Sequence, residues 1–344
     1  MRALVVRRYG PPEVLEMQQA PDPQPRPGEV LIRVKAIGVN FADLLQRMGL
    51  YPDSPKPPFI PGLEIAGVVE KASEGGAQDQ GETFRPGDAV VGLTDYKAYA
   101  EWVSVPSIYV YRLPAGMGFN DGAAIPANYL TAYEAIITMG NMQPGQRILI
   151  HSAAGGVGTA AVQLARARGL FVFGSAGPTK QEYLRKIGVQ HAIDYEKSDF
   201  VEVIGKYAPD GVEMVMDPIG GKSWEKSYEC LAPTGRLVTY GFSTAASPDG
   251  KQDRIRGAKA LMQTPKFNPL DLMKKGAAVI GVNLGQARSR GDHLHGELKE
   301  IFELYAAGKI KPMIAKTFPL EQAAAAHQFV QERRNLGKVI LTVK

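Results

Sequence analysis

The stretch Arg147 to Gly158, RILIHSAAGGVG, decides the fold. Arg147 to Ile150 is a short apolar run that breaks at His151 and Ser152 into small residues, and a helical pattern then follows from Val157 to Arg168. Within it Val157, Ala161, Leu164 and Ala165 fall at i, i+4, i+7 and i+8, which makes one apolar face. Strand, tight turn and amphipathic helix together open a βαβ unit. Ala153, Gly155 and Gly158 fill the positions of a G-x-G-x-x-G loop with alanine in the first slot, so the backbone from Ala154 through Gly155, Gly156, Val157 and Gly158 can approach a pyrophosphate at the helix N-terminus. Small residues at such a turn also serve close packing alone, so the flanks must decide.

After the loop the alternation continues. LFVFGS (Leu170 to Ser175), HAIDY, EMVMD (Glu213 to Asp217), RLVTYG from Arg236 and AAVIGV from Ala277 are five further strands, separated by helical patterns. Six strands of this kind predict a parallel, doubly wound α/β sheet with its ligand beyond the strands' carboxyl ends. Residues 1 to 126 differ in character. ALVV, EVLIRVKAIGVN, GLEIAGVVEKA and AVVGL are short strands between Gly and Pro turns, and YPDSPKPPFIPG, with five prolines, is an extended loop. This predicts an irregular, β-rich domain. The tail from Asp292, with two helices and the strand KVILTVK, has no sheet of its own and is expected to complete that domain. The boundaries are therefore 1–126 with 292–344 for one domain and 127–291 for the dinucleotide-binding one.

Composition is consistent with two domains. The chain has 344 residues, longer than one hydrophobic core usually grows, and 44% are apolar. The net charge of +5 is spread among interleaved acids and bases, which argues against a nucleic-acid partner. One cysteine, Cys230, excludes an internal disulfide and any cysteine-rich zinc site, and suits a reducing compartment. MRALVV is too short for a signal core and no run reaches the length of a membrane span, so a cytoplasmic protein without membrane contact is expected.

A site for NADH needs a carboxylate about 20 residues past the loop, at the end of the second strand. This chain has GSAGPTK there. Ser175 and Lys180 offer a hydroxyl and an ammonium, suited to a ribose 2′-phosphate, so NADPH is the expected cofactor; the alternative for Lys180 is a solvated helix start. Phe242 and Asn283 follow the fifth and sixth strands, at the sheet edge where nicotinamide contacts are expected. Tyr51, in the proline-rich loop, either covers the substrate or packs beneath the loop. Asp217, before PIGG, reads as a helix cap and His151 as strand packing.

The segments GEVLIRVKAIGVNFAD, PGLEIAGVV, IPANYLTAYEAI, AAGGVGTAAVQLA, VMDPIGG, GRLVTYG and GKVIL, in this order, resemble the zinc-independent quinone oxidoreductase branch of the medium-chain dehydrogenase/reductases. IDYEKSDFVEVI, LVTYGFS and the insertion ending in FNPLDLM are similar to its synaptic vesicle membrane protein (vesicle amine transport protein) subgroup. The resemblance implies a GroES-like catalytic domain beside a Rossmann domain. Zinc-dependent members place a cysteine where this chain has Asn40 and a histidine where it has Leu63, so a thiolate zinc site cannot be assembled. His293 and His295, two apart on a predicted helix, point to different faces and read as solvated surface.

Without zinc, hydrogen-bond donors must stabilise the charge that hydride transfer builds on a carbonyl oxygen, at about 2.7–4 kcal/mol each. The resemblance places Asn40 and Thr131 beside the nicotinamide, Tyr195 near the adenosine, and Gly337 and Lys338 at the family's C-terminal cofactor contact. Asn40 also stands where a helix cap would, and Thr131 where a hydroxyl bonds back to its own turn. The reading is reduction of quinones or α,β-unsaturated carbonyls, with a homodimer paired through AAVIGV. The alternative is a cofactor-binding adaptor that touches a membrane or a protein through the insertion Phe242 to Gly276, in which basic residues stand near Met and Phe.

Overall fold

A computed structural model describes residues 1–51, 54–73, 84–247, 249–250, 253–287 and 291–344. Strands β1 (Arg2–Val6) and β2 (Leu15–Gln19) pair antiparallel. The next strands, β3 (Glu29–Val39), β4 (Glu64–Ala72), β5 (Ala89–Leu93), β6 (Trp102–Pro106) and β7 (Val110–Arg112), belong to one sheet. β3 alternates at its start, with Val30, Ile32 and Val34 at 0–1% exposure, and is buried throughout from Ala36, where the first lobe meets the second. The proline-rich segment is an extended loop laid on β1, with Val6 and Phe59 exchanging backbone hydrogen bonds of 2.8 and 3.2 Å. Helix α1 (Phe41–Met48) follows β3, and the short α2 (Phe119–Gly122) leads into α3 (Pro126–Tyr133), which runs on as a π-helical turn at Glu134–Thr138.

The second sheet is parallel throughout. Its strands β8 (Arg147–Ile150), β9 (Phe171–Ala176), β10 (His191–Asp194), β11 (Val212–Asp217), β12 (Leu231–Thr239) and β13 (Ala278–Gly281) lie in the order β10-β9-β8-β11-β12-β13. The order reverses between β8 and β11, which opens a crevice above their carboxyl ends. β12 begins at Leu231, five residues before the expected start, because the chain pairs Val212 with Leu231 and then bulges before resuming at Arg236. Connecting helices are α4 (Gly156–Ala167), α5 (Gln181–Lys186), α6 (Phe200–Tyr207) and α7 (Lys222–Glu229). The face predicted for α4 is the one it buries, with Ala161, Leu164 and Ala165 at 0–1% exposure.

The insertion forms α8 (Arg254–Met262) and α9 (Pro269–Lys275) on the surface. Beyond β13 come α10 (Leu284–Ala287), α11 (Gly291–Ala306), β14 (Ile314–Pro319), α12 (Ala323–Gln331) and β15 (Lys338–Thr342). β14 pairs with β15, and β15 runs antiparallel to β3, so the tail returns to the first sheet. One apolar cluster spans both lobes, from Ala36, Ala66 and Ile340 through Ile125 and Leu130 to Ile150 and Val172, with Leu294, Leu298 and Ile301 of α11 sealed into it. Among the described residues no helix is long and apolar enough to cross a membrane.

Candidate active site

The phosphate loop lies between β8 and α4. Ser152 takes a positive φ of 54°, and Gly155 N–H closes the turn on Ser152 O at 2.8 Å. A side chain at Gly158 would bring its Cβ within 2.2 Å of Ser152 O, and one at Gly156 within 2.7 Å of the Asn128 amide. The backbone therefore passes too close to its neighbours to carry a Cβ at either position. The first N–H groups of α4 open onto this space with no partner in their own helix, which suits an anion. Ala154 is buried, and its carbonyl accepts the Gly337 N–H at 2.9 Å, tying the loop to the start of β15. A small cavity of about 10 Å³ is lined here by Asn128, Tyr129, Gly156, Thr159, Gly337 and Lys338, among others.

Next to the loop the first lobe contributes a buried polar cluster. Lys338, 3% exposed, places its ammonium 2.5 Å from Glu64 Oε1, 2.6 Å from Asn40 Oδ1 and 3.4 Å from Asn128 Oδ1. Asn40 Nδ2 donates to Glu64 Oε1 at 2.8 Å, and Glu64 Oε2 accepts the Ala127 N–H at 2.7 Å. Asn40 does stand at the N-terminus of α1, but the returning bond there comes from Asp43, whose carboxylate accepts the Asn40 N–H at 2.8 Å. Lys338 thus uses its side chain inward, on these residues. Thr131 donates to Ala127 O at 2.7 Å, the bond back to its own turn. Its proton is spent there, and only its lone pairs remain for a ligand.

At the far end of the crevice the picture is mixed. Ser175 is 2% exposed and its hydroxyl lies 2.8 Å from His151 Nδ1, so it faces the interior and cannot meet a ribose phosphate. The strand runs one residue further than expected, to Ala176, and every residue from Val172 to Ala176 is buried, so Ser175 lies within the covered sheet rather than at its open edge. His151 also contacts Ser227 at 3.2 Å, and Ser227 and Ser223 donate to Asp217, each at 2.7 Å. Asp217 accepts the Ile219 N–H at 2.6 Å as well, so it is a buried acceptor that ties the ends of β8, β9 and β11 to α7. Lys180 lies at the crevice mouth with its ammonium 2.8 Å from Asn335 O; burial and the charge of Arg333 lower its pKa. Arg333 was not identifiable from the sequence, because it lies about 150 residues away in a turn at positive φ. Tyr195 is 46% exposed and lies with its hydroxyl over Gly177.

Phe242 packs on Trp224 with ring centroids 5.6 Å apart and closes over Gly220. Asn283 uses its side-chain oxygen on the Gly285 N–H, 2.9 Å away, at the start of α10. Tyr51 is half-buried after α1. The two histidines of α11 are not solvated surface, because α11 packs against α3 and the 107–109 turn. His293 Nε2 lies 3.1 Å from Glu297 and 3.6 Å from Glu134, which the π-helical turn swings toward it, and the His295 ring lies 5.2 Å from that of Tyr111. The ligand-type atoms of Glu134, His293 and Glu297 lie within 4.8 Å of one another, and Thr138 donates to Glu297.

A parallel six-stranded sheet with a glycine loop at its switch point, and a β-rich lobe that lays charged and amide side chains beside that loop, defines a two-domain nucleotide-dependent oxidoreductase fold. Residues 26–131 match the alcohol dehydrogenase GroES-like domain and residues 187–341 the zinc-binding dehydrogenase family. The chain is 39% identical over 344 residues to the human synaptic vesicle membrane protein VAT-1 homolog, covering 99% of this chain and 86% of that one. It is 33% identical over 354 residues to human quinone oxidoreductase, covering 99% and 97%. It is similar to the crystal structure of the human VAT-1 homolog-like protein (TM-score 0.85, 32% identity, 100% and 98% covered). A second similar structure is Escherichia coli quinone oxidoreductase complexed with NADPH (TM-score 0.86, 29% identity, 99% and 100% covered). The chain belongs to the medium-chain dehydrogenase/reductase superfamily, in the group that holds the VAT-1 homologues and the quinone oxidoreductases.

Proposed function

We propose that this protein is an NADPH-dependent, zinc-independent reductase of quinones or α,β-unsaturated carbonyls. The observation that carries the reading is the phosphate loop at the switch point with Lys180 and Arg333 gathered at one end of its crevice and the Lys338–Glu64–Asn40 cluster at the other. The loop fits a pyrophosphate because the first N–H groups of α4 have no partner in their own helix, and glycine at 156 and 158 lets the turn pack tightly enough to present them. Lys180 fits a 2′-phosphate, since burial and the charge of Arg333 both act against its ammonium and a bound anion would relieve them. NADPH supplies a hydride when bound. The chain's own part is to seat it along the crevice and to hold polar groups at the substrate end. Hydride delivery to a conjugated carbon needs positioning more than a strong base.

Zinc does not fit the same lobe. The positions that zinc-dependent relatives give to cysteine and histidine are Asn40 and Leu63, and the space between Asn40 and Glu64 is taken by the Lys338 ammonium. Cys230 lies in the other lobe, buried, with its thiol pushed up to about 12 by that burial. A single buried thiol suits the reducing cytoplasm as the setting.

Mixing the protein with NADPH and a panel of enones and quinones tests the reading: oxidation of NADPH above background is expected with at least one acceptor class, and none with any would refute it. A second reading rests on α8 and α9, which expose Ile255, Leu261, Met262, Leu270 and Met273 at 63–86% beside Arg256, Lys259 and Lys274. This is the adaptor surface. Co-sedimentation with anionic vesicles tests it against a chain in which 254–275 are replaced by a short linker.

A further inference from the structure

We propose that Lys338, Glu64 and Asn128 are positioning residues of the hydride-transfer site: one buried ammonium fixes the Asn40 carboxamide on the substrate side and contacts the Asn128 carboxamide that underlies the phosphate loop. The proposal rests on the reading of Asn40 as a substrate- or nicotinamide-orienting group.

An ammonium has three protons, and Lys338 has three acceptors around it, at 2.5, 2.6 and 3.4 Å. Glu64 is fully buried and both its oxygens are engaged, one by Lys338 and Asn40 and the other by the Ala127 N–H at the first turn of α3. The Asn40 amide cannot flip in this setting, because a flip would turn its NH₂ group onto the ammonium and its oxygen onto the carboxylate. One of its protons faces Glu64 and the other makes only a 3.3 Å contact to Gly38 O. That second proton is the one Asn40 can redirect to a ligand.

The cluster reaches the cofactor side through two links. Asn128 packs so closely on Gly156 that a Cβ there would lie 2.7 Å from its Nδ2, and the residue before Lys338, Gly337, bonds the loop carbonyl of Ala154. β3 can lie against Glu64 only because Gly38 lacks a side chain: a Cβ there would be 2.4 Å from Glu64 Oε1. A cation at this place does by hydrogen bonding what a metal does by ligation in zinc-dependent relatives, since it holds the neighbouring donors in one arrangement.

Removing one partner would strand a buried charge, so the test removes both, in E64Q/K338M, within the full chain. Three quantities are read: melting temperature, NADPH affinity by fluorescence titration, and kcat with the best acceptor. The side-chain amide spectrum of protein labelled with ¹⁵N-asparagine is recorded alongside. The expected result is a folded variant whose Kd for NADPH moves by less than about threefold while kcat falls on the order of 100-fold, the scale of a misplacement near 1 Å, and whose Asn40 amide signal shifts and exchanges faster. A folded double variant with wild-type kcat and an unchanged Asn40 signal overturns the proposal.

If the wild type oxidises no NADPH, the proposed function falls and the amide spectrum alone decides the positioning claim. If the double variant does not fold, the wild-type spectrum decides it. Asn40 Nδ2 protons that exchange as fast as those of the exposed Asn268 then overturn the proposal, and protected ones support it.

Discussion

Ser175 and Lys180 stand five residues apart, and the fold gives them opposite roles. The Ser175 hydroxyl is sealed against His151, whereas Lys180 reaches the crevice mouth beside Arg333. Lys180→Ala is therefore expected to weaken NADPH binding by about 10- to 100-fold, which corresponds to about 1.5–3 kcal/mol for a charge-assisted hydrogen bond, and to leave NADH binding unchanged. Ser175→Ala should leave both alone. Paired fluorescence titrations check this, and equal losses for the two nucleotides would remove Lys180 from the 2′-phosphate site.

The missing carboxylate was legible in the sequence, but the burial of Ser175 was not. Ser175 is buried because both faces of the parallel sheet are covered and the strand runs on past it, and Arg333 arrives only through the tertiary fold. A second buried group makes a pH prediction. Asp43 is fully buried, accepts from Tyr99 at 3.1 Å, and is pushed up to about 7, chiefly by burial. Because its folded-state pKa is raised, the native chain keeps this proton at pH values where the unfolded chain, titrating near 4, has lost it. Its contribution to stability is full below about pH 4 and is lost as the pH rises to about 7. Urea unfolding of wild type and Asp43→Asn across pH 4–8 should show the difference between them changing in that window, to the cost of the wild type as the pH rises. A flat difference would place the carboxyl in its ordinary range.

At the scale of elements, the loop and α4 follow from spacing alone, since small residues at fixed offsets and an apolar face at helical period suffice to predict them. The clash geometry sharpens the expectation at each glycine. Gly158→Ala places a Cβ 2.2 Å from a backbone carbonyl that cannot move alone, so it should shift the whole turn, lower stability by about 1–3 kcal/mol as overpacking does, and weaken NADPH binding. Gly205→Ala, inside α6 with nothing within 4 Å, should instead raise stability by about 0.5–1 kcal/mol. Thermal melts with NADPH titration separate the two, and a Gly158→Ala protein that binds normally would mean that the turn has another way to relax. Helix α11 shows where spacing fails. His293 and His295 do lie on different faces, as their spacing requires, but both faces are covered: one by the π-helical turn carrying Glu134, the other by Tyr111. The apolar face by which α11 docks, Leu294, Leu298 and Ile301, does show the helical period; the π-helical turn and the partners that cover the two histidines do not.

On the scale of the whole molecule, the edge of the second sheet is the feature with the widest consequence. β13 has β12 on one side and, among the described residues of this chain, no strand on the other. An edge left in this way pairs with another strand or must be protected. β13 carries no charge or proline, and α9, the helix that precedes it in the chain, exposes the apolar side chains of Leu270 and Met273. Two copies related by a two-fold axis would pair their β13 strands antiparallel. Val282 N–H bonds Thr239 O at 2.9 Å, so by the alternation of a parallel ladder the N–H groups of Val279 and Gly281 point outward. Val279→Pro removes one outward donor and leaves the inward bonds of Ile280 and Val282 in place, as proline permits at an edge. Light scattering after gel filtration should give a dimer for the wild type and a monomer for Val279→Pro, with NADPH binding retained because the phosphate loop lies three strands away. A wild-type monomer would leave the β13 edge unpaired, and binding of anionic vesicles lost on replacement of 254–275 would identify the occupant of the apolar face of α8 and α9 as lipid.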